Sequence, residues 1–203
     1  MKKKLLGLVG AFGLLLMSST SVAQVEQGSI IIDPYYGYPN FGKGIAEGLV
    51  TGSEIQATGI GPLGLRAEYM LADNFGMGID FIYNSAGAAG TYSVLDSTGA
   101  SNTYTDEVLM QRIRVLLRLN YHFVQTDALD AYVGGGAGYN QRIWSYKSDD
   151  PNYIQPENTT GSLLPVALRL AVGMRYYFHP NIGINAELGL GGPVLSAGLS
   201  FKF

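Results

Sequence analysis

The chain has 203 residues, a formal net charge of −3, 47% hydrophobic and 14% charged residues, and no cysteine. That length suits one domain, and the balance excludes both a disordered chain and a multi-span helical membrane protein. A net negative charge argues against a nucleic-acid partner, and the missing cysteines exclude a disulfide framework.

The first segment in chain order is "MKKKLLGLVGAFGLLLMSSTSVAQ", with lysines at 2 to 4, an apolar run from Leu5 to Met17 and a small-residue site ending Ser21-Val22-Ala23. It reads as a secretory signal peptide over 1–23, cleaved between Ala23 and Gln24. The apolar run is well short of the roughly 20 residues a spanning helix needs. Removing Lys2, Lys3 and Lys4 takes the formal charge from −3 to −6. No later stretch is long and apolar enough for a spanning helix, so a membrane form of residues 24–203 must be a closed barrel.

From Ser29 onward apolar and polar residues alternate with a period of two, the signature of strands with one apolar face. Eight segments follow, approximately 29–38, 60–71, 75–85, 105–123, 130–147, 162–178, 182–190 and 194–203. Each is long enough for the approximately 9–11 residues of a tilted membrane strand. Short links ("ADN" at 72–74, "VQTDAL" at 124–129, "HPN" at 179–181) alternate with long loops at 39–59, 86–104 and 148–161. That alternation is the pattern of outer-membrane barrels, with short turns in the periplasm. The last link, "GGPV" at 191–194, is short although it falls on the loop side.

The arginines decide which face points where. All seven, Arg66, Arg112, Arg114, Arg118, Arg142, Arg169 and Arg175, fall inside predicted strands on the polar face. A solvated outer surface would favour scattered lysine and glutamate, whereas arginine's planar fork suits a crowded interior with carboxylates to match. In "LMQRIRVLLRLNYHF", Ile113, Val115, Leu117 and Leu119 oppose Arg112, Arg114, Arg118, Asn120 and His122. Tyr36, Tyr69, Phe75, Tyr121, Phe123, Tyr139, Tyr176 and Phe178 fall at the ends of the apolar face, where a bilayer barrel places its aromatic girdles.

An eight-stranded barrel is filled by side chains, so the inward arginines need partners. The candidates are Asp33, Glu68, Asp80 and Glu187. Extending the hairpins from their tight turns puts Arg66 opposite Asp80, and Glu187 opposite Gly173 and diagonal to Arg175. "YVGGGAGYN" at 132–140 lacks the helix that a dinucleotide loop requires, so its glycines read as strand positions of close approach. "NTT" at 158–160 matches a glycosylation sequon, which matters only in a eukaryotic secretory route.

The terminal strand "LSAGLSFKF" alternates Leu195, Ala197, Leu199, Phe201 and Phe203 with polar or small residues. With the signal peptide, the eight amphipathic segments and this aromatic ending, the sequence resembles the small outer-membrane β-barrel family typified by OmpX, OmpW and the OmpA transmembrane domain. The resemblance implies an all-β, eight-stranded antiparallel up-and-down transmembrane β-barrel in the Gram-negative outer membrane, with lipid and lipopolysaccharide around it. It also implies that Leu195, Leu199, Phe201 and Phe203 are read by the barrel assembly machinery, and, with nothing after the barrel, that the peptidoglycan-binding domain of longer relatives is missing.

Three functions fit such a barrel. The one adopted is a structural or surface-interaction barrel with an arginine-rich plugged lumen. It displays loops 39–59, 86–104 and 148–161 to an extracellular ligand. The acidic residues Glu47, Glu54, Asp96, Asp106, Asp149, Asp150 and Glu157 in or beside those loops outnumber Lys43 and Lys147. The alternative is a narrow, porin-like pore for ions or small solutes. An outer-membrane enzyme is disfavoured, because His122 and His179 both fall at the periplasmic ends, out of hydrogen-bond reach of an outer-leaflet serine. No metal or cofactor site is expected, since the two histidines are far apart and cysteine is absent.

Overall fold

The computed structural model describes residues 25–49, 55–95, 99–154, 156–162 and 164–203. The expected cleavage site at Ala23 and Gln24 lies outside them, as do Glu54 and Asp96. Eight antiparallel strands form the barrel: β1 (Ile30–Tyr38), β2 (Leu63–Ala72), β3 (Phe75–Leu95), β4 (Ser101–Gln125), β5 (Leu129–Ser148), β6 (Val166–His179), β7 (Ile182–Leu190) and β8 (Leu195–Lys202). Each pairs with its neighbours in sequence, and β8 returns to pair with β1, with Ile31 opposite Lys202 and Tyr38 opposite Leu195. Closure removes every free edge, which lipid demands because it cannot satisfy backbone N–H and C=O groups.

The faces sort by parity. On β6, Leu168, Leu170, Val172 and Met174 are exposed while Arg169, Ala171, Arg175 and Tyr177 are buried. The apolar side therefore points out of the barrel, the reverse of a soluble fold, and the aromatic residues expected in the girdles are exposed on that side. No helix among the described residues is long and apolar enough to cross a membrane, so the crossing is made by strands.

Register shifts occur at Met70/Ala72, His122/Val124 and Tyr177/His179, each beside one of the short turns. Bulges there sharpen the twist where the chain reverses. At the opposite end, Gly191 adopts φ of 82° in the tight turn between β7 and β8, a conformation that favours glycine.

Two expected loops are structured. The segment 86–104 is mostly hairpin: β3 runs on to Leu95 and β4 begins at Ser101. Its Gly/Ala-rich start reads as loop, but cross-strand pairing carries it: Tyr92 stacks toward Tyr104 with centroids 5.9 Å apart, and the hydroxyls of Ser93 and Thr103 lie 3.0 Å apart. With 25 residues, β4 reaches roughly 80 Å at about 3.3 Å per residue, far more than a hydrocarbon core of about 30 Å requires. The hairpin therefore projects well beyond the span a hydrocarbon core requires, at the end of the barrel opposite the short turns.

Within 39–59 lies a helix, α1 (Phe41–Leu49), followed by a short strand, Ile55–Thr58, that pairs with β3. Asn40 caps α1, its side-chain oxygen accepting from Lys43 N at 3.3 Å. Its amide also donates to the carbonyls of Ile60 and Ser85, both at 2.7 Å, which ties the start of α1 to the barrel rim. Phe41 and Ile45 are one turn apart and share a face.

The chain terminus completes the seam. Phe203 N donates to Ile30 O and Ile30 N donates to Phe203 O, both at 2.9 Å. Ser200 and Lys202 are buried, Lys202 lying 4.9 Å over the Tyr177 ring, while Phe201 and Phe203 are half-buried on the outer side. Deleting Phe203 removes a reciprocal hydrogen-bonded pair as well as the terminal ring. We expect a several-fold lower amount of protein in the outer-membrane fraction, measured by quantitative immunoblot against the full chain; normal levels would show that the terminal pair is dispensable.

Candidate functional site

The barrel interior is filled by charge. Moving outward from the short-turn end, inward-facing rungs follow one another across β3, β4 and β5. Asn120 lies beside Gly76 and Gly134, Arg118 beside Gly78 and Gly136, Arg114 beside Ile82 and Asn140, and Arg112 beside Asn84 and Arg142. Glycines flank Asn120 and Arg118, where the lumen has no room for a second large side chain. A Cβ at Gly134 would overlap the Asn120 side chain, one at Gly173 the Tyr132 ring, and one at Gly64 the Tyr35 ring.

The inner cluster centres on Arg175. Its guanidinium donates to Glu68 at 2.6 Å, Asp33 at 2.9 Å and Asp130 at 2.9 Å. Ser200 donates to the other oxygen of Asp33 at 2.6 Å, and Asn120 to Glu68 at 2.7 Å. His122 lies between two carboxylates, Nδ1 2.6 Å from Asp130 and Nε2 3.1 Å from Glu68. Both ring nitrogens thus face acceptors, and only an imidazolium can donate from both.

The second cluster centres on Glu187, which accepts from Arg118 at 2.9 Å and 3.1 Å and from Arg169 at 3.0 Å and 2.5 Å. It also accepts from the Tyr132 hydroxyl at 3.1 Å and lies 3.1 Å from Arg66 Nη1. Asp80 accepts from Tyr35 at 2.7 Å and Arg118 at 3.2 Å. Arg66 joins the clusters, donating to the Tyr132 hydroxyl at 2.7 Å and reaching Asp33 at 3.5 Å. Arg66 also lies over the Tyr35 ring and Arg175 over the Tyr132 ring, at 4.6 Å and 4.5 Å from the centroids.

Four arginines and five carboxylates in these clusters are nearly solvent-free, with Arg175 and Asp80 at 0% exposure. Such burial is tolerable only because each charge meets opposite charge and further hydrogen bonds. Chemically, the arrangement is a charge-matched polar network inside the lumen. Among the described residues no group of histidines and carboxylates is arranged to hold a metal ion.

Every residue expected in the lumen faces inward, but they do not all join one network. Arg66 is opposite Asp80 and Glu187 is opposite Gly173, the registers the tight turns imply. The diagonal from Glu187 to Arg175 carries no ion pair, since Arg175 takes the three carboxylates of the inner cluster and Glu187 takes three other arginines. Arg112, Arg114 and Arg142 stand apart, with no carboxylate partner among the described residues. Arg112 Nε donates to Asn140 at 2.6 Å and Arg114 Nη1 to the Gly191 carbonyl at 2.7 Å.

Sequence reasoning overlooked Asp130, Tyr35 and Tyr132 as partners. Asp130 opens β5 at a strand boundary, but it shares parity with Tyr132 and Arg142, and that parity was the available signal. Three of the loop acids are engaged within the protein. Asp149 accepts from Thr105 N at 2.6 Å, Asp150 from the Tyr92 hydroxyl at 3.2 Å, and Glu47 lies 3.7 Å from Lys43.

A closed antiparallel barrel, apolar outside and charged within, defines a class: the outer-membrane-type β-barrels. The chain belongs to the outer membrane protein beta-barrel domain family, whose profile matches residues 10–191. Among solved structures it is similar to the N-terminal β-barrel domain of Pseudomonas aeruginosa OprF, at 15% identity over 88% of this chain and 99% of that one, with a TM-score of 0.46. OprG from Pseudomonas aeruginosa gives 14% identity, 90% and 99% coverage and a TM-score of 0.46. The attachment invasion locus protein Ail of Yersinia pestis gives 13%, 87% and 99%, with a TM-score of 0.42. No curated protein matches the chain.

Proposed function

We propose that this protein is a non-conducting outer-membrane barrel that holds an extracellular binding surface in place, and that it is not an enzyme. The observation that carries the reading is the buried network running from Asp33 and Arg175 through Arg66 to Glu187 and Arg169. An ion crossing the lumen would have to part these pairs, and a buried charge separated from its partner is strongly disfavoured. The long β3–β4 hairpin and helix α1 supply a surface above the membrane that a purely structural barrel does not need. His122, held between Glu68 and Asp130 in the inner half, supports the absence of hydrolase chemistry at the outer leaflet.

In the same reading, residues 1–23 are the export signal, removed between Ala23 and Gln24, and the outward band contacts lipid and lipopolysaccharide. Leu195, Leu199, Phe201 and Phe203 form the strand recognised by the assembly machinery. Regions 39–59, 86–104 and 148–161 face the unknown ligand. Planar-bilayer recording of the refolded mature chain tests the central point. Baseline current under an applied potential is expected; steady unitary openings would establish the narrow-pore alternative instead.

A further inference from the structure

Above the neutralised network the inward face changes character twice. First comes a cationic layer. Arg112 is directly opposite Arg142 on the neighbouring strand, an arrangement of like charges that destabilises a sheet. Arg114, on the next rung inward, is 4% exposed. Each guanidinium carries five N–H donors, yet Arg112 and Arg114 each make one hydrogen bond and Arg142 makes none among the described residues. Nε of Arg114 and Nε of Arg142 are buried without an acceptor, as are Nε and Nη2 of Arg66 and Nε of Arg118, so it is the missing carboxylates that set the outer three apart. The deeper arginines, by contrast, each lie within 4.0 Å of at least two carboxylates.

These three arginines line a cavity of about 490 Å³ whose described lining contains no acidic residue. Next to it, on the outer side, is an apolar cavity of about 520 Å³ between α1 and the inner face of β3 and β4. The two share Gly42, Ile45, Met110 and Trp144, so they are contiguous. On β4 the inward sequence reads Arg114, Arg112, Met110, Val108, a switch from charge to apolar surface over two rungs. Ile45 is 63% exposed although it lines both cavities, so apolar surface is left uncovered at the site. Both volumes lie in the range of small-molecule sites.

We propose that this vestibule binds a small amphipathic anion, with an oxyanion head on Arg112, Arg114 and Arg142 and an aliphatic chain between α1 and the β3–β4 hairpin. The head supplies the acceptors and negative charge that the arginines lack, and guanidinium forks match carboxylate and phosphate alike. The chain covers Ile45, Met110 and Trp144. This deepens the reading of a closed barrel with an outer binding surface and rests on it.

The chain's single tryptophan, Trp144, lines both cavities and reports occupancy directly. The full mature chain, refolded in phosphatidylcholine nanodiscs, would be titrated with decanoate, decyl phosphate, decanol and inorganic phosphate while Trp144 fluorescence is followed. Saturable binding of decanoate or decyl phosphate at least about tenfold tighter than decanol is expected, since charge-assisted hydrogen bonds exceed neutral ones by that much or more; the tighter of the two identifies the head. In Arg112→Gln/Arg142→Gln, anion affinity should fall at least about tenfold with decanol unchanged. These arginines stand outside the carboxylate network, so the variant should fold, as heat-dependent gel mobility would verify. Ile45→Ser, on the exposed helix, should weaken every chain-bearing probe. Equal binding of decanol and decanoate, an unaffected double variant, or inorganic phosphate matching decyl phosphate would overturn the proposal. Conductance is scored separately: a conducting barrel that still discriminates these probes sinks the closed-lumen reading, and a silent barrel that does not discriminate sinks this site alone.

Discussion

Glu187→Ala is expected to destabilise the barrel by about 3–5 kcal/mol, the loss on removing one partner of a buried charge cluster. The carboxylate accepts from Arg118, Arg169 and Tyr132 and lies 3.1 Å from Arg66. Without it three guanidiniums confront one another across the lumen with Asp80 as their main remaining counter-charge. All three are at most 2% exposed, and a guanidinium cannot shed its charge. Urea unfolding of the protein folded in phosphatidylcholine vesicles measures the change; a loss under about 1 kcal/mol, the scale of an exposed pair, would mean that the cluster rearranges around the gap.

Arg175→Ala should cost a similar amount, but with the opposite residual charge and therefore a different pH response. It leaves Asp33, Glu68 and Asp130 facing each other, with His122 between Glu68 and Asp130 and Arg66 Nη1 3.5 Å from Asp33 as the remaining cations. Carboxylates can take up protons as pH falls, which removes their repulsion, so the deficit of Arg175→Ala relative to wild type should shrink on going from neutral to acidic pH. The deficit of Glu187→Ala should not shrink, because the stranded groups are arginines. Unfolding curves for both variants and wild type at neutral and acidic pH make the comparison. Parallel behaviour of the two variants would show that lost packing, not stranded charge, is what each substitution costs.

The two predictions bear on function as well as stability. Buried ion pairs are weak evidence for stability in themselves, since well-packed apolar replacements often do as well. A lumen filled with leucine would close the barrel equally. What the charged filling adds is geometric definition, because each fork accepts a limited set of partners, and a boundary beyond which arginine is left unmatched. The fold places that boundary between Arg169, bound to Glu187, and Arg112 with Arg142, bound to no carboxylate among the described residues. The charge-matched network and the outer vestibule are two sides of it.

Much of this was legible from residues alone. Period-two alternation is a local property, so the strands of "LMQRIRVLLRLNYHF" and "LPVALRLAVGMRYYF", their arginine-bearing faces and the tight turns between them could be read directly. Hairpin registers such as Arg66 with Asp80 followed because a two-residue turn leaves little slack. The long hairpin and helix α1 were missed because glycine and alanine carry weak local signals, and their structure comes from pairing and from the rim contacts of Asn40.

The sequence by itself thus determined the strand number, the inside and outside of each strand and the side on which the long connections lie. Apart from the hairpin pair Arg66–Asp80, at 3.9 Å, tertiary structure alone decided which arginine meets which acid. Arg175 and Asp33 are 142 residues apart and Arg66 and Tyr132 are 66 apart, and only barrel closure brings them across the lumen. It also decided that Asp130 and His122 join the buried network while Arg112, Arg114 and Arg142 do not. The reason is physical: facing is set by the pleat of one strand, but charge matching depends on the depth and the chord across a closed ring, which no single strand contains.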